Sequence, residues 1–303
     1  MSVSVSVAAV VVLYKPDLVV LQRLLLSVID QVKVIYIIDN TPSADLDDYS
    51  SIMSASKIRY HPLYDNLGIA FAHNKGFELA KINSNTHVLL LDQDSELSEG
   101  TVATLLTEER KLIETGIKVA AIGPVFIDDK TGDAAPVLIS TILGTAKAKV
   151  DFKSQFPVQS TYIISSGSLI QLETIDAVGG MQEDLFIDWV DIEWGERASL
   201  LGYNSYLSPL VSMKHSIGDE FVRLLGRKIT LHSDFRNYFI VRNAIYLALW
   251  SSLRIQSRFQ FLRKVPYYLL CYTLTSDKKI YSVKLLCGAI KDGVQKKMHK
   301  GRF

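Results

Sequence analysis

Residues 86–97, THVLLLDQDSEL, constrain the fold of this chain more than any other stretch. Val88, Leu89, Leu90 and Leu91 run straight into Asp92, Gln93, Asp94 and Ser95 with no turn residue between them. An unbroken apolar run suits a strand covered on both faces, as in a parallel sheet, whereas a half-exposed strand would alternate. The carboxyl ends of such strands form the ligand-binding edge of open α/β sheets. Asp92 and Asp94, at i and i+2, point two carboxylates the same way. Their mutual repulsion favours a divalent cation with oxygen ligands between them. A surface turn in which Asp and Ser cap the next helix is the competing reading that this stretch alone leaves open.

At 303 residues, 48% hydrophobic and 21% charged, the chain has enough material for one large α/β domain with an appendage. The N-terminal MSVSVSVAAVVVLY has no basic n-region and no small-residue cleavage site, so it reads as a first strand and not as a signal peptide. No segment reaches the length of uncharged apolar sequence that a membrane-spanning helix needs. Cys271 and Cys287 have no metal-type spacing and are expected to be reduced thiols of a cytosolic protein. A net charge of +1 conceals a division: residues 220–303 hold 17 Lys plus Arg against 4 Asp plus Glu, and residues 1–219 hold 16 against 28. The expectation is a catalytic part, 1–219, followed by a basic amphipathic helical region, 220–303.

Taken in order, Val5–Tyr14 is a strand, Leu18–Val32 has helical periodicity, and Val34–Ile38 is a second strand that ends at Asp39. At that strand end a carboxylate can accept hydrogen bonds from a nucleotide's ribose or base, with an Asx-type turn before Pro42 as the competing reading. After a third strand, Ile58–Leu63, the segment Asn66-Leu67-Gly68-Ile69-Ala70 opens a helix that runs to Ala80. There Asn66 is a candidate cap and Gly68 would let a ligand approach the backbone, with His73 and Asn74 farther in. Such a helix start favours an anion. It is not GxGxxG, which argues against a nicotinamide enzyme. A helix over 98–115 with Ser98 as its cap, a strand over Val119–Ile127, a loop or edge insertion over 128–156 and a β-like run over Tyr162–Ile170 follow.

Residues 179–197, GGMQEDLFIDWVDIEWGER, crowd Asp188, Asp191 and Glu193 among Phe186, Trp189 and Trp194. Desolvation beside aromatics raises a carboxyl pKa and makes a general base, and Trp rings offer a flat platform to a sugar. A solvated acidic helix face paired with Arg197 is the competing reading. Tyr203–Met213 is a strand that delivers His215, either a satisfied structural residue or a metal ligand.

With Asp39, NLGIAFAHN, DQDS after three leucines, GG followed by LFIDWVDIEW, and HSDFRNYFIVRN in this order, the chain resembles inverting family 2 glycosyltransferases, bacterial rhamnosyltransferases in particular, from residue 5 to near residue 250. The resemblance implies a GT-A fold, a mixed and mostly parallel sheet flanked by helices. It implies that Asp39 binds the nucleotide's base or ribose and that Asn66, Gly68, Asn74 and Gln93 border the nucleotide. Asp92 and Asp94 would form a DxD-type site for Mg2+ or Mn2+, with Asp94 as the direct ligand and His215 completing the shell. Asp191 would be the general base. Val190 stands where related enzymes carry another acid, which leaves Asp188 as a substitute. Trp189, Trp194 and Glu193 are the acceptor-side candidates.

The implied reaction is inverting transfer from dTDP-β-L-rhamnose to a glycan hydroxyl in surface-polysaccharide (O-antigen) synthesis. UDP-galactofuranose, UDP-glucose or UDP-galactose as donor, or a noncatalytic nucleotide-sugar-binding assembly protein, are the alternatives. The basic region, with aromatics set among aliphatics, reads as a membrane-surface binder and not as a nucleic-acid binder; an ordinary helical subdomain closing the active site is the competing reading, and the two are compatible. That suits a polyprenyl-diphosphate-linked acceptor and a peripheral position at the inner face of the plasma membrane.

Overall fold

The computed structural model describes residues 4–44, 49, 55–128, 134–141, 144–215, 221–224, 227–230 and 232–303; the side chains at 128, 140, 144, 145, 214, 215 and in the two strands between 221 and 230 lie outside that description. Its first half is built from β1 (Val7–Leu13), α1 (Leu18–Val28), β2 (Val34–Asp39), β3 (Ile58–Pro62), α2 (Ile69–Ile82), β4 (His87–Asp92) and α3 (Thr101–Glu114). Asp17 starts α1 by accepting hydrogen bonds from the Val19 and Val20 amides. Ser98 does not cap α3 with its side chain. That helix begins after Gly100, in the left-handed region, and leans on the Ser98 carbonyl through the Thr101 hydroxyl.

The second half contains β5 (Val119–Asp128), a hairpin of β6 (Val137–Thr141) and β7 (Gly144–Ala148), β8 (Val158–Ser160), β9 (Leu169–Gln171), α4 (Leu172–Val178), α5 (Val190–Leu200) and β10 (Asn204–His215). A two-stranded ribbon, β11 (Phe221–Leu224) and β12 (Arg227–Thr230), precedes three helices, α6 (Asp234–Trp250), α7 (Ile255–Thr275) and α8 (Lys279–Val294). Among the described residues of the insertion at 128–156, β6 and β7 pair antiparallel, and the β-like run at 162–170 is loop except for β9 at its end.

Eight strands form one sheet in the order β3-β2-β1-β4-β9-β5-β10-β8. β9 and β8 run against their neighbours and the other six strands point the same way. The mixed, mostly parallel sheet expected from the sequence is therefore present. Strand alternation explains the unbroken apolar runs: Val88 and Leu90 join the core on one face, and Leu89 and Leu91 the core on the other. α1 and α3 cover the second face, while α2, α4, α5 and α6 to α8 cover the first.

The charge boundary at residue 219 is not a break in packing. Tyr238, Phe239, Val241 and Ala244 of α6 are fully buried in the same core as Val10, Leu90 and Trp189. Among the described residues most arginines and lysines of this region reach the surface, Arg242 being the fully buried exception, while its apolar faces complete the sheet's covering layer, so sequence charge alone could not reveal the continuity.

Candidate active site

β1 leads leftward in the sheet to β2 and β3, and β4 returns on its other side, so the topological switch point lies between β1 and β4. Asp92 ends β4 at that crevice, its amide donating to the Ser166 hydroxyl at 3.2 Å. Gln93 closes the crevice by accepting from the Tyr14 amide at 2.8 Å, and Asp94 stands exposed at the rim. Between this edge and the C-terminal helices lies a cleft of about 640 Å³. Asp92, Ser165 and Ser166 line one side, Asp188, Trp189 and Asp191 the floor, and Arg236, Tyr267 and Tyr268 the far wall.

The floor is a strained segment. Phe186, Asp188 and Trp189 have φ of 63°, 62° and 68°, in the left-handed region that non-glycine residues avoid. α6 holds them there. Asn243 donates from its amide nitrogen to the carbonyls of Leu185, Ile187 and Asp188 at 2.9, 2.8 and 3.2 Å. The fully buried Arg242 donates to the Leu185 and His299 carbonyls at 3.0 and 2.5 Å and to Asn243 Oδ1, its guanidinium 4.7 Å from the Phe239 ring centre. Trp189 Nε1 donates to the Ile240 carbonyl at 3.0 Å.

This segment presents Asp191 at the start of α5. Its Oδ1 accepts the Ile192 amide at 2.8 Å. Its carboxyl opens into the cleft but is hemmed by protein, and desolvation, with the charges of Asp92 and Asp188 adding to it, lifts its pKa from 3.8 to about 6. At pH 7 such a group is mostly ionised and still binds a proton readily, the condition for a general base. Asp188 is differently placed: Arg236 Nη2 donates to its Oδ1 at 2.7 Å, and its Oδ2 is buried without a hydrogen-bond partner.

Of the residues singled out from sequence, Asp92, Asp188, Trp189 and Asp191 share the cleft. Several others bond within the protein. Asp39 is fully buried, accepting from the Thr41 amide and the Tyr60 hydroxyl at 2.8 and 2.9 Å, so the Asx-type reading describes its contacts. Gly68 makes room for protein: a Cβ there would lie 2.5 Å from the Phe186 carbonyl oxygen, which accepts the first amide of α2. Asn66 turns onto the Gly68 amide and does not cap α2 with its side chain. Asn74 pins the 181–183 turn, bonding both backbone groups of Met181 and the Glu183 carboxylate. Trp194 and Glu193 are buried, the indole donating to the Gly179 carbonyl and the carboxylate pairing with Arg197. His215 ends β10, and its side chain lies outside the described residues. Among the described residues no three His, Cys, Asp or Glu side chains converge as a metal site.

Arg236, Asn243 and the α7 tyrosines were not singled out from sequence. A signal existed for Asn243: Arg242-Asn243 interrupts an otherwise apolar helix, YFIVRNAIYLALW, and polar groups buried in such a helix must bond something specific.

Against known proteins, the chain is 30% identical over 301 residues, 98% of both chains, to the dTDP-rhamnosyl transferase RfbF of Shigella flexneri. The chain belongs to the family of RfbF. An uncharacterized protein of Mycobacterium tuberculosis is 28% identical over 163 residues, covering 50% of this chain and 54% of its own. No family model matches. Among solved structures, GalNAc-T7 crystallised with UDP, GalNAc and Mn2+ superposes with a TM-score of 0.63 at 16% identity, over 97% of this chain and 57% of that one. TarS of S. aureus, residues 1–349 in complex with UDP, superposes with a TM-score of 0.55 at 15% identity, over 96% of this chain and 80% of that one. The fold is GT-A, and the protein is a glycosyltransferase.

Proposed function

We propose that this glycosyltransferase moves a rhamnosyl group from dTDP-β-L-rhamnose to a hydroxyl of a glycan acceptor, inverting the anomeric carbon. Asp191 carries the reading: a carboxylate with a pKa raised to about 6, held at the floor of a cleft that opens at the sheet's switch point. Because Oδ1 is engaged by the Ile192 amide, Oδ2 is the atom that takes the proton. As the acceptor O–H bond breaks toward Asp191, the oxygen bonds to the anomeric carbon from one face and the bond to dTDP breaks on the other. Holding the two sugars in line supplies much of the acceleration. Asp188, anchored by Arg236, keeps a second carboxylate beside the base and sustains its raised pKa.

Asp92 and Asp94 would hold a divalent cation, Mg2+ or Mn2+. The residues fit: Asp92 lines the cleft and Asp94 follows it two residues on, exposed, both with hard oxygen ligands, and Asp92, Asp188 and Asp191 crowd like charge there, as the pKa of Asp191 registers. When bound, such an ion neutralises charge on the departing diphosphate. The acceptor is read as a polyprenyl-diphosphate-linked glycan at the cytoplasmic leaflet, in surface-polysaccharide synthesis, with the enzyme peripheral at the inner face of the plasma membrane. The 17 basic against 4 acidic residues of 220–303 support this, and the relation to RfbF supports the donor.

A donor panel tests the proposal: dTDP-rhamnose, UDP-galactofuranose, UDP-glucose and UDP-galactose, read by nucleoside diphosphate release with and without chelator. Release of dTDP alone, lost with EDTA and restored by Mg2+ or Mn2+, is expected. Release of UDP instead overturns the donor, and undiminished turnover in EDTA overturns the metal.

A further inference from the structure

α7 has two faces with different surroundings. Tyr267, Tyr268, Cys271 and Tyr272 line the cleft. On the opposite side Ile255, Phe259, Leu262, Leu270 and Leu274 are exposed at 68, 63, 43, 48 and 48%. Their spacing of three or four residues, with the exposed Pro266 between, puts them on one stripe. At 1.5 Å per residue that stripe is about 28 Å long. It is followed at the start of α8 by Ile280, Tyr281 and Val283, exposed at 76, 49 and 45%. Apolar side chains scattered singly over a surface need no explanation, but an aligned stripe marks an interaction site.

Charge selects what covers it. Residues 255–291 hold seven Lys or Arg against a single acid, Asp277. Arg263, Lys278, Lys279 and Lys284 are exposed, and among the described residues no carboxylate pairs with them. A second copy docking about a twofold axis would set these cations against their equals. An anionic bilayer surface matches both the apolar stripe and its cationic border. Among the described residues no helix is long and apolar enough to cross a membrane, so α7 would lie along the surface.

We propose that the outward face of α7 is the surface by which this enzyme lies on an anionic membrane, so that the helix walling the cleft with Tyr267 and Tyr268 also sets the cleft beside the lipid headgroups. The inference rests on the reading that the acceptor is lipid-borne. It assigns the contact to one helix face and makes α7 the element that joins membrane to acceptor.

Flotation of the full chain with phosphatidylcholine vesicles, with and without phosphatidylglycerol, tests it. The wild-type protein should float only with the anionic vesicles and be released by salt. A Phe259→Ser, Leu262→Ser, Leu270→Ser variant should bind them about 100-fold more weakly. A Lys278→Glu, Lys279→Glu, Lys284→Glu variant should lose the salt-sensitive part. Both should keep wild-type turnover on a water-soluble acceptor, which shows that they fold. Vesicle binding undiminished in both variants overturns the proposal, as does a dimer that the triple-serine change dissociates while the wild type ignores vesicles. Vesicle binding through α7 in an enzyme that turns over a water-soluble glycan but not the polyprenyl-diphosphate-linked one refutes the lipid-borne acceptor and leaves the surface standing.

Discussion

Replacing Asp191 with Asn should cost activity and add stability. The carboxyl is lifted from 3.8 to about 6, with desolvation the largest cause. A native pKa above the unfolded one means that the folded protein holds the proton more tightly, so folding is favoured by protonation and penalised by ionisation. Two pKa units correspond to about 3 kcal/mol, the penalty carried at pH 7.5 by a group this enclosed. By pH 5 the penalty falls to about half, and it nearly vanishes as pH drops below 4. Asparagine keeps the Oδ1 that accepts from Ile192 and removes the charge. The variant should therefore melt roughly 4–8 °C above wild type at pH 7.5, with the gap narrowing on acidification, while transfer falls by about 10²–10⁴-fold. Wild-type transfer should itself decline as pH falls through 6. Thermal unfolding at pH 7.5 and pH 5, beside product release, reads both effects. An Asn variant that is less stable than wild type at both pH values, or that turns over normally, refutes the reasoning.

Three further perturbations probe what surrounds the base. Gly68→Ala combines a φ of +89° with a Cβ only 2.5 Å from the Phe186 carbonyl oxygen, so unfolding titrations should show a loss of about 3–5 kcal/mol. Asn243→Ala removes the side-chain donor from the Ile187 and Asp188 carbonyls and one of several donors from the Leu185 carbonyl, and should cost about 2–3 kcal/mol; its kcat should fall while donor Kd stays within a few fold, and an unchanged kcat would mean that the segment holds its shape without Asn243. Asp94→Ala should abolish the metal-dependent component of donor binding in calorimetry, and identical heats with and without Mg2+ relative to wild type would remove Asp94 from the metal site.

How much of this was legible in the sequence depended on whether a residue's role was set by its neighbours in the chain. The run Val88–Leu91 ending in Asp92 announced a strand buried on both faces, because alternation sends its side chains into two cores. Asp191 was readable as a desolvated carboxylate because its aromatic neighbours are close in sequence. Trp194 and Glu193 looked equally good beside it, and only the turn of α5 decides that they face inward toward Gly179 and Arg197. Asp39 sits at its expected strand end, yet its side chain is claimed by Tyr60, twenty-one residues away. In the basic region charge speaks only for the surface: the exposed cations lie outside, whereas Tyr238, Phe239 and one buried cation, Arg242, make the contacts that join α6 to the core.

Those contacts also explain why the base cannot be separated from the C-terminal helices. Three left-handed residues at 186, 188 and 189 cost roughly 1–3 kcal/mol each. Within residues 1–219 the Phe186 carbonyl finds the Ile69 amide, the Phe186 amide the Glu183 carbonyl and the Leu185 carbonyl the Ile187 amide; from α6, Asn243 and Arg242 reach the Leu185 carbonyl, Asn243 reaches the Ile187 and Asp188 carbonyls, and Trp189 finds Ile240. Each such bond contributes about 1 kcal/mol, and the buried ring of Trp189 against Phe261 of α7 adds to the sum. Much of what offsets the strain at 186, 188 and 189 is therefore supplied by α6 and α7, the helices that also form the far wall of the cleft. Phe261 of α7 packs on Trp189, two positions before Asp191, so the proposed membrane face and the proposed base would lie on one connected piece of structure.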